Sequence, residues 1–549
     1  MLHTPSLHIG AIRDARHLQT GELNRREFLA RATSLGVSVA GAYALMGQAA
    51  PAQAIDGASS QKTLRVQMEV KALKAPRVTD WSSIANTMRG TFEHLVEYNN
   101  DGSFRGMLLS HWDVNADATE YVLHIRPDVT WHNGQPLTAE QVAWNIQGWC
   151  DKSVAGNSMA SRMASLIDPE TGQAAAGAIG VEDGLTVRLS LPRSDISIIP
   201  SMADFPAAIV HPSFDDKNIP ANVGTGPFLI DQIEVGAKAV LTRNADQDWW
   251  GTQVYGGPFV DRIEYLDYGT DPASWVAAIE AGEVDMLSES VGEFVGVLDA
   301  MGLAQSKVVT AATAVVRTNQ KAKVGDIAPY ADKRVRRALA MAVDPEIVLE
   351  LGINDHGITA ENHHVAPIHP DYAPLPKPKV DPEAAYALMA EAGMLDFEHE
   401  LISLDDGWLR NTADAVGALL QDAGFKVKRR IMPGGTYWQD WATYPFSVTN
   451  WNHRALGVQI LSVAYRSGEP WNETGFENAE FDALLDQALA LSDVDERRQI
   501  MARIQQLMQD EGVIIQSYWR SLYRHARPDV TGADIHITLD HHHYKWGFA

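Results

Sequence analysis

Histidines lead the residues able to do chemistry in this chain. His363-His364 with His369, and His541-His542-His543, carry the nitrogens that ligate zinc and nickel. The first group falls in a proline-rich tract. Three successive residues on a strand point to alternate faces and do not converge on one ion. Both groups are therefore read as exposed histidines, and no metal is expected. Hydrolytic chemistry finds no better support. There is no His-Glu-x-x-His, no Gly-x-Ser-x-Gly elbow and no P-loop lysine after the glycines Gly224 and Gly226. Gly156-Asn157-Ser158-Met159-Ala160 is one residue off an elbow but lacks a preceding apolar strand. Among 70 acidic residues nothing singles out a catalytic carboxylate pair. Cys150 is the only cysteine, which excludes an internal disulfide and a cluster held by several thiolates. Neither an enzyme nor a cofactor is expected.

Binding residues are more plentiful. Trp438, Trp441, Trp451 and Trp471 fall in one stretch, with Tyr437, Tyr444 and Tyr465 among them. Such rings wall a site for sugars, aromatic groups or cations, and they equally build a core. The segment "AYRSGEPWNETGF" adds Arg466, Glu469, Trp471 and Asn472 in a loop that either lines a cleft or lies on the surface.

The elements that must position these residues read as mixed helix and strand. Tyr121 to Arg126 alternates at period two, and Asn133-Gly134 is a hairpin signal. Thr138-Ala139-Glu140-Gln141 is a capping box, followed by Val142, Ile146 and Trp149 on one helical face. A glycine loop at 223–227 enters a strand at Phe228. Beyond about 311, helices alternate with short strands. Asp332, Asp344-Pro345 and Asp381-Pro382 open helices, and Thr412 to Ala423 is a helix stopped by Gly424. Lys426 to Ile431 reads as a strand and Val513-Ile514-Ile515 as a buried one. The tract 362–380, with its prolines, is a linker.

The N-terminus gives an address. Asn24-Arg25-Arg26-Glu27-Phe28-Leu29 is a twin-arginine pair followed by Phe-Leu. A small apolar stretch from about Ala32 to Ala50 and then Ala52-Gln53-Ala54 complete an export signal, with cleavage expected after Ala54. Gly36, Ser38, Gly41 and Gly47 make the stretch too weak for a membrane span. The expected product is soluble, unlipidated and periplasmic. The formal charge is -25, and residues 1–54 hold five Arg against three acids, so cleavage leaves about -27. So acidic a chain repels nucleic acid and anionic lipid. Its length calls for two or more lobes.

Several blocks carry a resemblance. "YVLHIRPDVTWHNGQPLTAEQVAWNI", "GTGPFLIDQIEVGAKAVLTRNADQDWWG", "AAIEAGEVDML", "VRRALAMAVDPEIV", "DPEAAYALMAEAGM" and "NAEFDALLDQALALSDVDERRQIMARIQQLMQDEGVII" occur in this order. Together they resemble the solute-binding proteins of peptide/opine/nickel-type ABC importers, over nearly all of 62–530. The resemblance implies an α/β, two-lobed periplasmic binding protein fold of the large, three-subdomain class, with two hinge crossings near Val308–Val315 and Gln516–Arg520. It divides the chain into a first lobe (55–95, 223–310 and 516–549), a subdomain inserted in it (96–222) and a second lobe (311–515). It implies a small-molecule solute held between the lobes, an inner-membrane ABC permease as partner, and a monomer.

The same resemblance gives Thr449-Asn450-Trp451-Asn452-His453-Arg454 its meaning. In peptide-binding members this strand end reads Trp-x-x-Asp, and the Asp pairs with the ligand's free amino group. Here the position is Arg454, which repels an ammonium and favours a carboxylate or phosphate, or else pairs with a neighbouring acid. Arg454, Trp451, Asn450, Asn452, Trp438, Trp441 and Trp471 are the expected ligand-binding residues, with Arg454 facing the cleft free of acidic partners. An anionic, opine- or sugar-like solute, or an amino-blocked peptide, fits them. The alternatives are a di- or oligopeptide receptor with its acid elsewhere, for example Glu469 or Asp440, and a ligand-dependent partner of a membrane sensor.

Overall fold

A computed structural model describes residues 7–48, 63–491 and 493–549. Its backbone is an eleven-stranded sheet. From one edge it runs Lys426–Met432, Glu398–Leu404, Phe446–Trp451, Ala304–Thr318, Tyr518–Ala526, Met286–Leu287, Thr63–Gln67, Arg262–Leu266, Lys238–Arg243 and Phe228–Glu234. Gly357–Thr359 pairs with Tyr518–Ala526 off this path. The long strand Ala304–Thr318 serves both lobes. Its first half pairs with Tyr518–Ala526, the register breaks between Val309 and Ala312, and from Thr313 it pairs with Phe446–Trp451. A return crossing lies alongside, where Val316 and Ile515 exchange backbone hydrogen bonds of 2.9 and 2.8 Å.

Local signals account for most elements. The capping box at Thr138 and Gln141 opens the helix Ala139–Trp149. Asp332, Asp344 and Asp381 each cap the helix that follows through a side-chain oxygen. The glycine loop is a close approach: a Cβ on Gly224 would sit 1.9 Å from the Thr91 carbonyl oxygen, and one on Gly226 2.3 Å from that of Gly90. Two readings differ. The helix placed at Thr412 begins five residues earlier, as Gly407–Asp422 with Asp406 at its N-cap. Val513-Ile514-Ile515 is buried but extends no strand, and only Ile515 forms a bridge.

The inserted subdomain is a four-stranded antiparallel sheet, ordered Leu109–Val114, Glu120–Ile125, Thr186–Ser190, Ile179–Asp183. One apolar cluster joins it to the second lobe, from Trp112 and Trp131 to Leu461, Phe481 and Met501.

The twin-arginine segment is folded against this body. Helices Ile9–Thr20, Arg25–Ser34 and Val39–Leu45 share a small core around Phe28, Leu29 and Tyr43. Arg26 donates to Tyr98 Oη (3.1 Å) and the Asn100 carbonyl (3.0 Å), and the Phe104 amide donates to Thr33 Oγ1 (2.8 Å). Arg13 pairs with Asp493 at 2.6 Å. The expected cleavage site, Ala52-Gln53-Ala54, lies outside the described residues. Among the described residues no helix is long and apolar enough to cross a membrane.

Candidate functional site

A cavity of about 150 Å³ opens where the lobes face each other. The first lobe contributes Glu69 and Lys71 beyond the strand Thr63–Gln67, Trp81 and Ser82 at the start of a short helix, Trp275, and Glu289. The second contributes Asp406 and Trp408 at the start of Gly407–Asp422, Trp438, and Asn450 and Asn452 at the end of Phe446–Trp451. Strand ends and helix starts converge here because the sheet is interrupted between lobes, which is where open α/β folds keep their ligands.

Trp81 and Trp438 meet across the gap with ring centroids 3.8 Å apart, and Asn452 Nδ2 donates to Ser82 Oγ at 3.2 Å. Arg520, on the strand shared by both crossings, lies 3.7 Å over the Trp408 ring and pairs with Glu289. Lys71 pairs with Glu69. Asp406 is the carboxyl left over. Burial pushes it up to about 7, with Glu289 and Glu69 adding to the rise and Arg520 opposing it. Its Oδ1 and the Trp81 Nε1 are both buried without a hydrogen-bond partner among the described residues.

Of the expected site residues, Asn450, Asn452 and Trp438 line this cavity. The others pack beside it. Trp451 is buried, and its Nε1 donates to Glu473 (2.8 Å), which also pairs with Arg317 (2.9 Å). Trp441 sits between Trp81 and Trp451, at 6.1 and 6.4 Å. Trp471 stacks under Arg162, whose guanidinium carbon lies 4.8 Å from the ring centroid.

Arg454 differs from expectation in two respects: it does not line the cavity, and its guanidinium already meets an acid. Arg454 Nε lies 3.1 Å from Asp204 Oδ2, and Arg162 Nη2 lies 2.6 Å from the same oxygen. Burial lowers the Arg454 pKa. Asp204 is itself desolvated, but the two arginines outweigh that and hold it below the usual carboxylate range. Asp204 belongs to the inserted subdomain, so the cluster ties the second lobe to it. Two buried cations share one acid. A lone buried arginine would be far costlier than this arrangement, which is why the position is not left bare. Glu469 bonds Ser161 and Asp440 is exposed, and neither lines the cavity.

The histidines read as exposed are buried. His363 bonds Glu361 (2.9 Å), His364 bonds Tyr465 (2.6 Å), and His541 and His543 share the Tyr265 hydroxyl (2.8 and 2.6 Å). Burial lowers His364, His369, His541, His542 and His543 below the usual imidazole range. These rings are packing groups; His364, His541 and His543 each bond a tyrosine remote in sequence through one ring nitrogen, and the other nitrogen is buried without a hydrogen-bond partner among the described residues.

Sequence reasoning missed Asp406, Trp408, Trp81, Glu69, Glu289 and Arg520. Asp405-Asp406 ahead of Gly407-Trp408-Leu409 was a legible cap signal for the helix start. The others carry no local mark.

Known proteins share this fold. The chain is 23% identical to a probable peptide ABC transporter periplasmic-binding protein of Sinorhizobium fredii, covering 89% of this chain and 93% of that one. It is also 23% identical to a probable deoxycholate-binding periplasmic protein of Escherichia coli, over 86% and 90% of the two chains. Among solved structures, the E. coli murein tripeptide binding protein superposes with TM-score 0.80 at 18% identity, covering 89% of this chain and 99% of that one. A binding protein from A. tumefacien R10 in complex with agropinic acid gives 0.77 at 21% identity, with the same coverage. The family model for bacterial extracellular solute-binding proteins, family 5, matches residues 103–472. With the two-lobed fold and the cavity between lobes, that match makes the chain a member of the bacterial extracellular solute-binding proteins, family 5.

Proposed function

We propose that this chain captures a small organic solute in the interlobe cavity and delivers it to an inner-membrane ABC permease. The observation that carries the reading is the cavity itself, walled by tryptophans and asparagines from both lobes. Closing two lobes over a solute buries it and lets a few polar groups discriminate. Its volume is equivalent to roughly five waters, which favours a small solute over a long peptide. Relatives named for peptides, deoxycholate and agropinic acid share the fold, so the ligand must be argued from these residues.

At the strand end where peptide receptors keep an acid, the cluster of Arg162, Asp204 and Arg454 carries one surplus positive charge. That surplus disfavours a free amino group at this end and favours a carboxylate. The solute is therefore an acidic, opine- or sugar-like compound or an amino-blocked peptide. We assign 55–95, 223–310 and 516–549 to the first lobe, 96–222 to its inserted subdomain and 311–515 to the second lobe. The twin-arginine motif supports export by that route, cleavage after Ala54, and a soluble periplasmic monomer.

Native mass spectrometry of protein from its own periplasm should show the bound solute. Calorimetry should then find that Arg454→Ala weakens its binding by ~2–5 kcal/mol. Tight binding of unblocked dipeptides, unchanged in Arg454→Ala, would replace this reading with the peptide receptor.

A further inference from the structure

The cavity holds a recognition element of its own, apart from the Arg454 cluster. We infer that Asp406, which lines the cavity with Trp408 and Trp438, receives a protonated amine of the solute, while Trp81 Nε1 donates to an oxygen of the same molecule. The inference rests on reading this cavity as the solute site and adds the chemical class that it takes.

Three observations converge. The first is charge. The cavity's own ions form two closed pairs, Glu69 with Lys71 and Glu289 with Arg520, and Asp406 remains. The second is hydrogen bonding. Asp406 Oδ1 is an acceptor and Trp81 Nε1 a donor, both buried, both on residues lining the cavity, both without partners among the described residues. Buried polar groups left in that state are unfavourable, and an ammonium beside an oxygen answers both at once. The third is the wall. Indole faces attract cations, and Arg520 over Trp408 shows one such contact already made at 3.7 Å. Together these describe a solute that carries an amine beside a hydrogen-bond-accepting oxygen.

Protonation supports the assignment. Burial and the neighbouring Glu289 and Glu69 hold the Asp406 carboxyl up to about 7, against the pull of Arg520. Lys71 is the other cation on the cavity wall, and Glu69 pairs with it. An arriving ammonium favours the ionised carboxylate, so binding near pH 7 should release protons.

The test uses the whole protein freed of its co-purified solute. Calorimetry runs against matched pairs: glucosamine and N-acetylglucosamine, 4-aminobutyrate and butyrate, together with the solute identified by mass spectrometry. Amine-bearing members should bind and their blocked or deaminated partners should not. Asp406→Asn should weaken the amine-bearing ligand by about 30-fold or more and abolish the proton release, read from two buffers of different ionisation enthalpy. Trp81→Phe keeps the ring, loses the donor and should weaken binding by several-fold. Asp405→Asn, an exposed neighbour paired with Arg410, serves as the control and should change neither. Binding that is equal for free and blocked amines, confined to solutes without an amine, or absent across the panel overturns the inference. So does a proton release that persists in Asp406→Asn. If a solute without an amine co-purifies and binds, the inference fails while capture of a solute stands. If none co-purifies and none binds, both fail.

Discussion

Two charged clusters sit on the boundary between the lobes, and they are built on opposite plans. Around Asp204, two arginines crowd one carboxylate. Around Asp406, two closed ion pairs leave one carboxyl oxygen and one indole N–H without hydrogen-bond partners among the described residues. The first cluster holds the subdomain to the second lobe. The second is incomplete by itself. A binding protein needs both kinds, since a cavity whose polar groups were all satisfied internally would have little to offer a solute.

The largest test of this contrast is Asp204→Ala. It strands two buried guanidinium groups and should lower unfolding stability by ~3–5 kcal/mol in urea titration. Asp406→Ala, made in the solute-free protein, should cost far less. Equal losses would show that the two clusters are structurally alike.

Acid–base behaviour separates them next. Asp406 and Glu93 are both raised by burial to about 7 in the folded chain. Glu93 is fully buried and accepts from Trp249 and Trp250 Nε1 at 3.0 and 2.8 Å. A carboxyl whose folded pKa is raised contributes stability below its unfolded pKa, and loses it as pH climbs toward 7. Asp204, held low, does the reverse: its contribution is present above about 4 and is lost on acidification. The buried histidines work the other way, adding stability as pH rises toward 6.5. In denaturant midpoints taken from pH 4 to 8, Asp406→Asn and Glu93→Gln should therefore each raise the pH 7 value relative to the pH 4 value, compared with wild type, and Asp204→Asn should not.

The smallest effect is expected for Arg454→Met. Asp204 keeps Arg162, and a methionine fills much of the same volume against Phe205, over which the guanidinium carbon lies 5.5 Å from the ring centroid. Stability should stay within ~1 kcal/mol of wild type. A loss as large as that of Asp204→Ala would make Arg454 the keystone of the cluster.

What could be read from sequence followed the range of the interaction. Caps at Thr138, Asp332, Asp344 and Asp381 announce themselves within four residues, and the glycine loop within five. The strand end from Asn450 to Arg454 was legible through its motif, and Asn450 and Asn452 do line the cavity. The partner that occupies Arg454 was not, because Asp204 lies 250 residues away, in the bend after the short helix Ile198–Met202. The histidines failed for the same reason: Tyr265 and Tyr465 bury them from a distance. Asp406 was closer to hand. Gly407 at the first helical turn hid the cap, and the helix was begun at Thr412, past the residue that mattered.

The strand Tyr518–Ala526 lies in the middle of the eleven-stranded sheet, yet every other strand of that sheet precedes it in sequence. On the ribosome, Thr63–Gln67 and Met286–Leu287 emerge long before the strand that joins them to Ala304–Thr318. Neither lobe's sheet can complete its central ladder during synthesis, so the native pairing waits for the chain to be nearly finished. The ladder that unites the two halves of the sheet closes only once Tyr518–Ala526 has been made, so the last tenth of the chain decides when the molecule becomes one body.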